Sequence, residues 1–97
     1  MEVPGLDALG NLLRNRESAR VVGREYLRRV PKEADASILV ALLGASHAVA
    51  SAKEPSLRQE IRDRIRRDFD DGRTVQLRGW VLSVTEARLS ALSLFLG

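Results

Sequence analysis

The chain contains no cysteine, which excludes disulfides, thiolate metal sites and thiol catalysis. It has a single histidine, His47, in the run Ala45-Ser46-His47-Ala48. A zinc site of the usual kinds needs more than one such ligand. A catalytic histidine needs a nucleophile and an orienting acid, and no acid stands at helical spacing from this one. His47 therefore reads as a loop residue. Aromatic side chains are also scarce: Tyr26, Phe69, Trp80 and Phe95 are the complete set. A core built from Leu, Val, Ile and Ala suits packed helices better than a β-sandwich or barrel. No apolar run approaches the ~18 residues that would span a bilayer, and residues 1–11 lack the basic start and apolar stretch of a signal peptide. The glycines form no phosphate-cradling loop. Asp68, Asp70 and Asp71 crowd a turn, but without the spacing or the closing glutamate of an EF-hand. No catalytic residue, metal ligand or cofactor is expected.

What is present points to one small domain spanning all 97 residues, with residues 1–15 as a flexible or short helical arm. A chain of this length buries only about 60–65% of the surface it exposes when unfolded, so its margin of stability is thin. A partner or a second copy would widen that margin. The net charge is +3 and the isoelectric point about 10.2, which raises the question of nucleic acid. The charge is spread, however. Residues 1–30 carry six Arg against four acids, residues 31–55 two Lys against three acids, residues 56–73 six Arg against five acids, and residues 74–97 two Arg against one acid. No basic block emerges.

Along the chain, Leu6, Leu9, Leu12 and Leu13 recur at helical spacing after Pro4-Gly5. From Glu17 to Arg29, the residues Ala19, Val22, Tyr26, Leu27 and Val30 fall on one helical stripe, and Pro31 ends that helix near Val30. Asp35 can cap a third helix, whose body Ile38–Leu43 is apolar nearly all round and so belongs at the centre of the domain or in an interface. Gly44 offers its stop. Ala45–Pro55 reads as a linker or frayed helix. Ser56-Leu57-Arg58-Gln59 forms a capping box for a helix with Leu57, Ile61, Ile65 and Phe69 as its buried stripe, ended by Asp70-Asp71-Gly72. Thr74–Leu77 switches to a period of two, and Arg78-Gly79 is a candidate two-residue hairpin turn before Trp80-Val81-Leu82. Ser83-Val84-Thr85-Glu86 is a second capping box, opening a last helix with Leu89, Leu92, Phe95 and Leu96 on its apolar side. The fold class expected is mainly α: a small bundle of four to five helices with one short strand or hairpin near residues 74–82.

Two regions could meet a partner. Arg20, Arg24 and Arg28 form an i, i+4, i+8 row suited to an acidic protein or a phosphate, although surface solubility explains it more simply. Arg58–Arg67 resembles a nucleic-acid helix, but Glu60–Arg64, Asp63–Arg67, Arg64–Asp68, Arg66–Asp70 and Arg67–Asp71 stand as opposite-sign i, i+4 pairs. Such pairs contribute about 0.2–0.5 kcal/mol each to an exposed helix and bring acids toward any phosphate. The second region is the β element. A lone hairpin is marginal in water, and the amides of residues 74–82 each need an acceptor, which a helical chain is expected not to supply in full, so that another polypeptide completes them. Val75, Leu77, Arg78 and Trp80 are therefore candidate interaction residues. Trp80 is either a binding anchor or the residue that closes the helical core.

The segments Asp68-Phe69, Gly72-Arg73-Thr74-Val75, Gly79-Trp80-Val81-Leu82-Ser83 and Thr85-Glu86-Ala87-Arg88-Leu89, with Gly23-Arg24-Glu25-Tyr26-Leu27 and Pro31, resemble a pattern in a group of small bacterial proteins. Members of that group often begin with a twin-arginine export leader, which this sequence does not show. The resemblance implies a periplasmic domain travelling with a larger exported enzyme, and it brings no catalytic residues with it. The function expected is a non-catalytic accessory or protein-interaction module that self-associates. A small basic nucleic-acid-binding domain is the alternative.

Overall fold

A computed structural model describes residues 15–43 and 54–96 of the chain. The expected arm, Gly44, His47 and most of the expected linker lie outside the described residues. Four helices and one hairpin make up the described part. Helix α1 is Arg16–Arg29, followed by a 3-10 turn Pro31–Glu33 and helix α2, Ala36–Leu42. Helix α3 is Glu54–Asp70, strands β1 and β2 are Thr74–Leu77 and Trp80–Ser83, and helix α4 is Val84–Leu92, ending in a 3-10 turn Ser93–Phe95. The bundle with a short hairpin is the architecture that the sequence periodicity predicts.

Local chemistry sets most boundaries. Asn15 caps α1 by accepting from the Ser18 amide at 3.0 Å, and Pro31 follows its C-cap Val30. Asp35 caps α2 by accepting from the amides of Ser37 and Ile38 at 2.8 and 3.1 Å. Helix α3 closes in a Schellman motif. The amide of Arg73 donates to the Asp68 carbonyl at 2.8 Å and that of Gly72 to the Phe69 carbonyl at 3.3 Å. Gly72 supplies the positive φ of 72° that this ending requires. The β strands pair antiparallel, Thr74 opposite Ser83 and Leu77 opposite Trp80, around a turn in which Arg78 (φ 52°) and Gly79 (φ 82°) are both left-handed. This is the type I′ geometry that matches the twist of a hairpin.

Three expectations need correction. Helix α3 starts at Glu54, two residues before the Ser56 box, so Ser56 lies within the helix and Pro55 occupies its first turn, where no amide partner is needed. The buried stripe of α3 holds for Leu57 and Ile61, but Phe69 is 47% exposed and Asp68 takes its place inside. Eleven residues make just over three whole turns, so Asp68 returns to the face of Leu57. A strict four-residue step drifts by about 40° each time and carries Phe69 away from it. Finally, α2 is not enclosed. Leu39, Val40 and Leu43 are buried, whereas Ile38 and Leu42 are exposed.

The enclosed helix is α4. Thr85, Ala87, Leu89, Ala91 and Leu92 are all buried along it, and it packs on α1, α2, α3 and both strands. Its small residues allow close approach. At Gly23 of α1, a β-carbon would stand 2.6 Å from both the Ala91 Cα and the Ser90 carbonyl oxygen. Those are backbone atoms, so relief requires the two helices to separate. Substituting Gly23→Ala is expected to lower the unfolding free energy by about 1–3 kcal/mol, despite the better helix propensity of alanine. Urea denaturation of the variant beside the wild type checks this.

Candidate interaction surface

Two buried carboxylates organise the side chains around the core. Glu33, 6% exposed, accepts from the Tyr26 hydroxyl at 2.7 Å. It also receives two parallel bonds from Arg88, Nε to Oε1 at 3.0 Å and Nη2 to Oε2 at 3.2 Å. This fork geometry is the strong form of an arginine–carboxylate pair. Burial by itself pushes the Glu33 carboxyl upward, but the bonds from Arg88 and Tyr26 outweigh it and hold the group below its ordinary range. Tyr26 moves the other way. Burial, reinforced by its bond to Glu33, pushes the phenol up to about 12.

Asp68 serves the entry to α4. Its Oδ2 accepts from the Thr85 amide at 2.8 Å, while Arg73 Nε stands 3.3 Å from Oδ1. The neighbouring amides are taken as well. Val84 donates to the Arg73 carbonyl at 3.1 Å, Glu86 to Ser83 Oγ at 2.9 Å and Ser83 to Glu86 Oε1 at 3.0 Å. All four amide groups that a helix leaves open at its start are thus bonded, and the expected Ser83–Glu86 capping box is present. Burial again pushes Asp68 up, and the Thr85 bonds and the Arg73 cation more than reverse it. Asp71 pairs with Arg73 at 3.2 Å, so two of the clustered acids are committed to closing the α3 turn.

On the outside, a groove of about 440 Å³ runs between α1 and the hairpin, lined by Ser18, Val21, Val22, Arg78, Trp80 and Leu82. The register explains it. Val75, Leu77, Trp80 and Leu82 share one face of the hairpin. Leu77 is buried, Val75 and Leu82 pack partly against the core, and Trp80 extends past it, 69% exposed. Val81, on the opposite face, is 59% exposed. Arg29 fixes the spacing between α1 and the hairpin by donating from Nη1 to the Gln76 carbonyl at 2.6 Å.

The candidate residues therefore divide. Trp80 and Arg78 meet at the groove, Leu77 and Val75 belong to the core side, and the arginine row is not in the described lining, although Arg24 follows the lining residue Val21 by three positions. Arg20 follows Ser18 by two residues, about 200° round the helix, and Arg28 is paired with Glu25 at 3.1 Å. Trp80 does not close the core. The expectation that the strand amides lack acceptors in their own chain is also revised. Besides the ladder, the Thr74 amide donates to the Gly72 carbonyl at 3.0 Å, Gln76 accepts from Arg29 and Ser83 donates to Glu86. The outward groups of Gln76 and Val81 belong to exposed residues, where water serves. Arg78 stands out for a different reason. A non-glycine residue held at positive φ costs on the order of 1 kcal/mol, and no hydrogen bond or ion pair to Arg78 occurs among the described residues.

Periodicity gave no sign of Glu33, Arg88 or Asp68, because their partners lie 55 and 17 residues away. Among the described residues, no group of three or more His, Asp or Glu could hold a metal ion, and no helix is long and apolar enough to cross a membrane. Comparison with protein-family models, curated proteins and solved structures returns no match to this chain.

The buried groups predict a pH profile. Folded, Glu33 and Asp68 bind protons less readily than their ordinary values of 4.5 and 3.8 allow. The unfolded chain therefore takes up more protons as pH falls below those values, and stability drops with it. At the alkaline end, Tyr26 holds its proton more tightly when folded, so stability falls as pH rises from 10 toward about 12. Tyr26 is the only tyrosine, so ultraviolet titration of the folded chain is expected to give a single phenol ionising near 12. Glu33→Ala, which strands Arg88, is expected to cost about 3–5 kcal/mol by denaturant titration at neutral pH, with a smaller loss in acid.

Proposed function

We propose that this chain is a non-catalytic protein-interaction module that self-associates through the groove face of its hairpin. The observation that carries this reading is the placement of Trp80: a large indole that contributes little to the core and stands over an apolar groove instead. Tryptophan is enriched among the residues that anchor interfaces, because one ring supplies a large contact area at small entropic cost. Val21, Val22 and Leu82 extend the apolar surface beneath it, and Arg78 is the one charged residue among the described residues of the lining. The two buried carboxylates give no support to a catalytic reading. Glu33 and Asp68 are engaged within the chain and neither lines the groove. The nucleic-acid alternative gains nothing specific from the fold, since Arg28 is paired with Glu25 and no arginine of the row Arg20, Arg24 and Arg28 is among the described residues lining the groove.

Trp80 is the only tryptophan and reports directly on its own surroundings. In dilute solution its emission is expected at the long wavelengths of a hydrated indole. As concentration rises, a shift to shorter wavelength should accompany an increase in sedimentation coefficient, with one common midpoint. Trp80→Ala should remain monomeric over the same range, with its unfolding free energy within about 0.5 kcal/mol of the wild type, as for other exposed positions. A wild-type chain that sediments as a monomer at millimolar concentration, with unshifted emission, would overturn the reading.

A further inference from the structure

From the proposal that the groove face self-associates, we infer that its occupant is Phe69 of a second copy, with Asp70 of that copy meeting Arg78. Among the described residues, the groove offers an apolar trough with one cation and no acid: Val21, Val22, Trp80 and Leu82 with Arg78 at one side. Its complement is an apolar ring beside a carboxylate, and the chain displays one. Phe69 is 47% exposed on the last turn of α3, and the next residue, Asp70, is exposed as well. Asp71 is engaged by Arg73, whereas no ion pair to Asp70 or to Arg78 occurs among the described residues. Asp70 and Arg78 thus each stand beside an exposed apolar surface without an ion pair among the described residues.

The two features cannot meet within one chain by the observed geometry. Phe69 sits near the open end of the hairpin, where Thr74 faces Ser83, while Arg78 and Trp80 stand at its turn. No residue of α3 lines the groove. A ring from one copy and a trough from another make a heterologous contact, which closes into a pair only where both copies engage reciprocally. The left-handed backbone of Arg78 fits the same account. Asparagine before Gly79 would suit the turn better, so arginine is held there against local preference. A cation reaching over the trough is what that position gains.

Six variants and one mixture test the assignment by sedimentation velocity and, where Trp80 is kept, its emission. Phe69→Ala and Asp70→Arg are each expected to weaken self-association at least tenfold, and so is Arg78→Glu. Combining Asp70→Arg with Arg78→Glu should restore association to within a few-fold of the wild type, because the swapped charges face each other again. A mixture of Phe69→Ala, which keeps the trough, with Trp80→Ala, which keeps the ring, should form a one-to-one complex that neither forms alone. Arg78→Asn should weaken association while raising the melting temperature by several degrees, a combination that a purely structural role for Arg78 does not produce. Undiminished association in both Phe69→Ala and Asp70→Arg, with loss only in Trp80→Ala, would overturn this inference and leave the self-association reading standing. A monomeric wild type would instead overturn that underlying reading.

Discussion

The carboxylate of Glu33 ties together three segments: α1 through the Tyr26 hydroxyl, the turn that opens at Pro31 through its own backbone, and the distant α4 through Arg88. Removing two charges from water is costly, and a buried ion pair often contributes little net stability compared with apolar residues of the same volume. Its effect here is positional. A fork of two bonds admits few orientations, and Tyr26 occupies a further direction on the same carboxylate. Once α1 is set against α4 in this way, Gly23 falls on Ala91 at a separation no side chain could share. That contact in turn fixes how far α1 stands from the hairpin. Arg29 then reaches the Gln76 carbonyl, and the trough beneath Trp80 is what remains between the two elements. The surface feature follows from a buried bond on the neighbouring flank of α1.

Asp68 plays a comparable part at the opposite end of α4. Its carboxylate supplies one of four acceptors to the amides that open the helix, the others coming from Ser83, Glu86 and the Arg73 carbonyl. A negative charge at a helix start is favoured by the helix dipole as well as by the hydrogen bond. One consequence is that α3, the hairpin and α4 are joined at a single locus. Another is that Phe69 must point outward. The turn that places Asp68 under Leu57 rotates its neighbour by about 100°, so the burial of an acid and the exposure of an aromatic ring have one cause.

The elements that were legible in the sequence are those whose determinants are local. Asp35 two residues before its first partner, Pro31 after a helical stripe, Ser83 three residues before Glu86 and Arg78-Gly79 between alternating runs all act within four residues. Their structures match the expectation. What could not be read depends on pairs that periodicity does not relate. Glu33 and Arg88 are separated by 55 residues, and in sequence each looks like a solvated charge. Helix α4 carries Thr85, Arg88 and Ser90 among its apolar residues, which disguises the most enclosed helix. The run Ile38–Leu43 looks more buried than it is, because composition does not reveal that only one side of a short helix meets the core. The sequence leaves Trp80 open between an anchor and a core residue, and only the register of β2 shows that it extends past the core.

Natural sequences are locally consistent where stability alone is at stake, and departures from that consistency concentrate where something else is served. In this chain three departures are visible. An arginine takes a left-handed turn position that suits asparagine, an indole is left in water beside an unfilled trough, and a phenylalanine sits on the wet side of a helix whose other apolar residues turn inward. Each could be relieved by a single substitution without disturbing the Glu33 or Asp68 networks, since none of the three residues bonds to either. Scattered singly, exposed apolar residues need no explanation. Here they come with complementary charge, Arg78 beside one and Asp70 beside the other, and they occupy surfaces whose positions the core bonds dictate. That correlation between a strained cation, an empty trough and a ring with an adjoining acid is the physical ground for treating the three as parts of one contact.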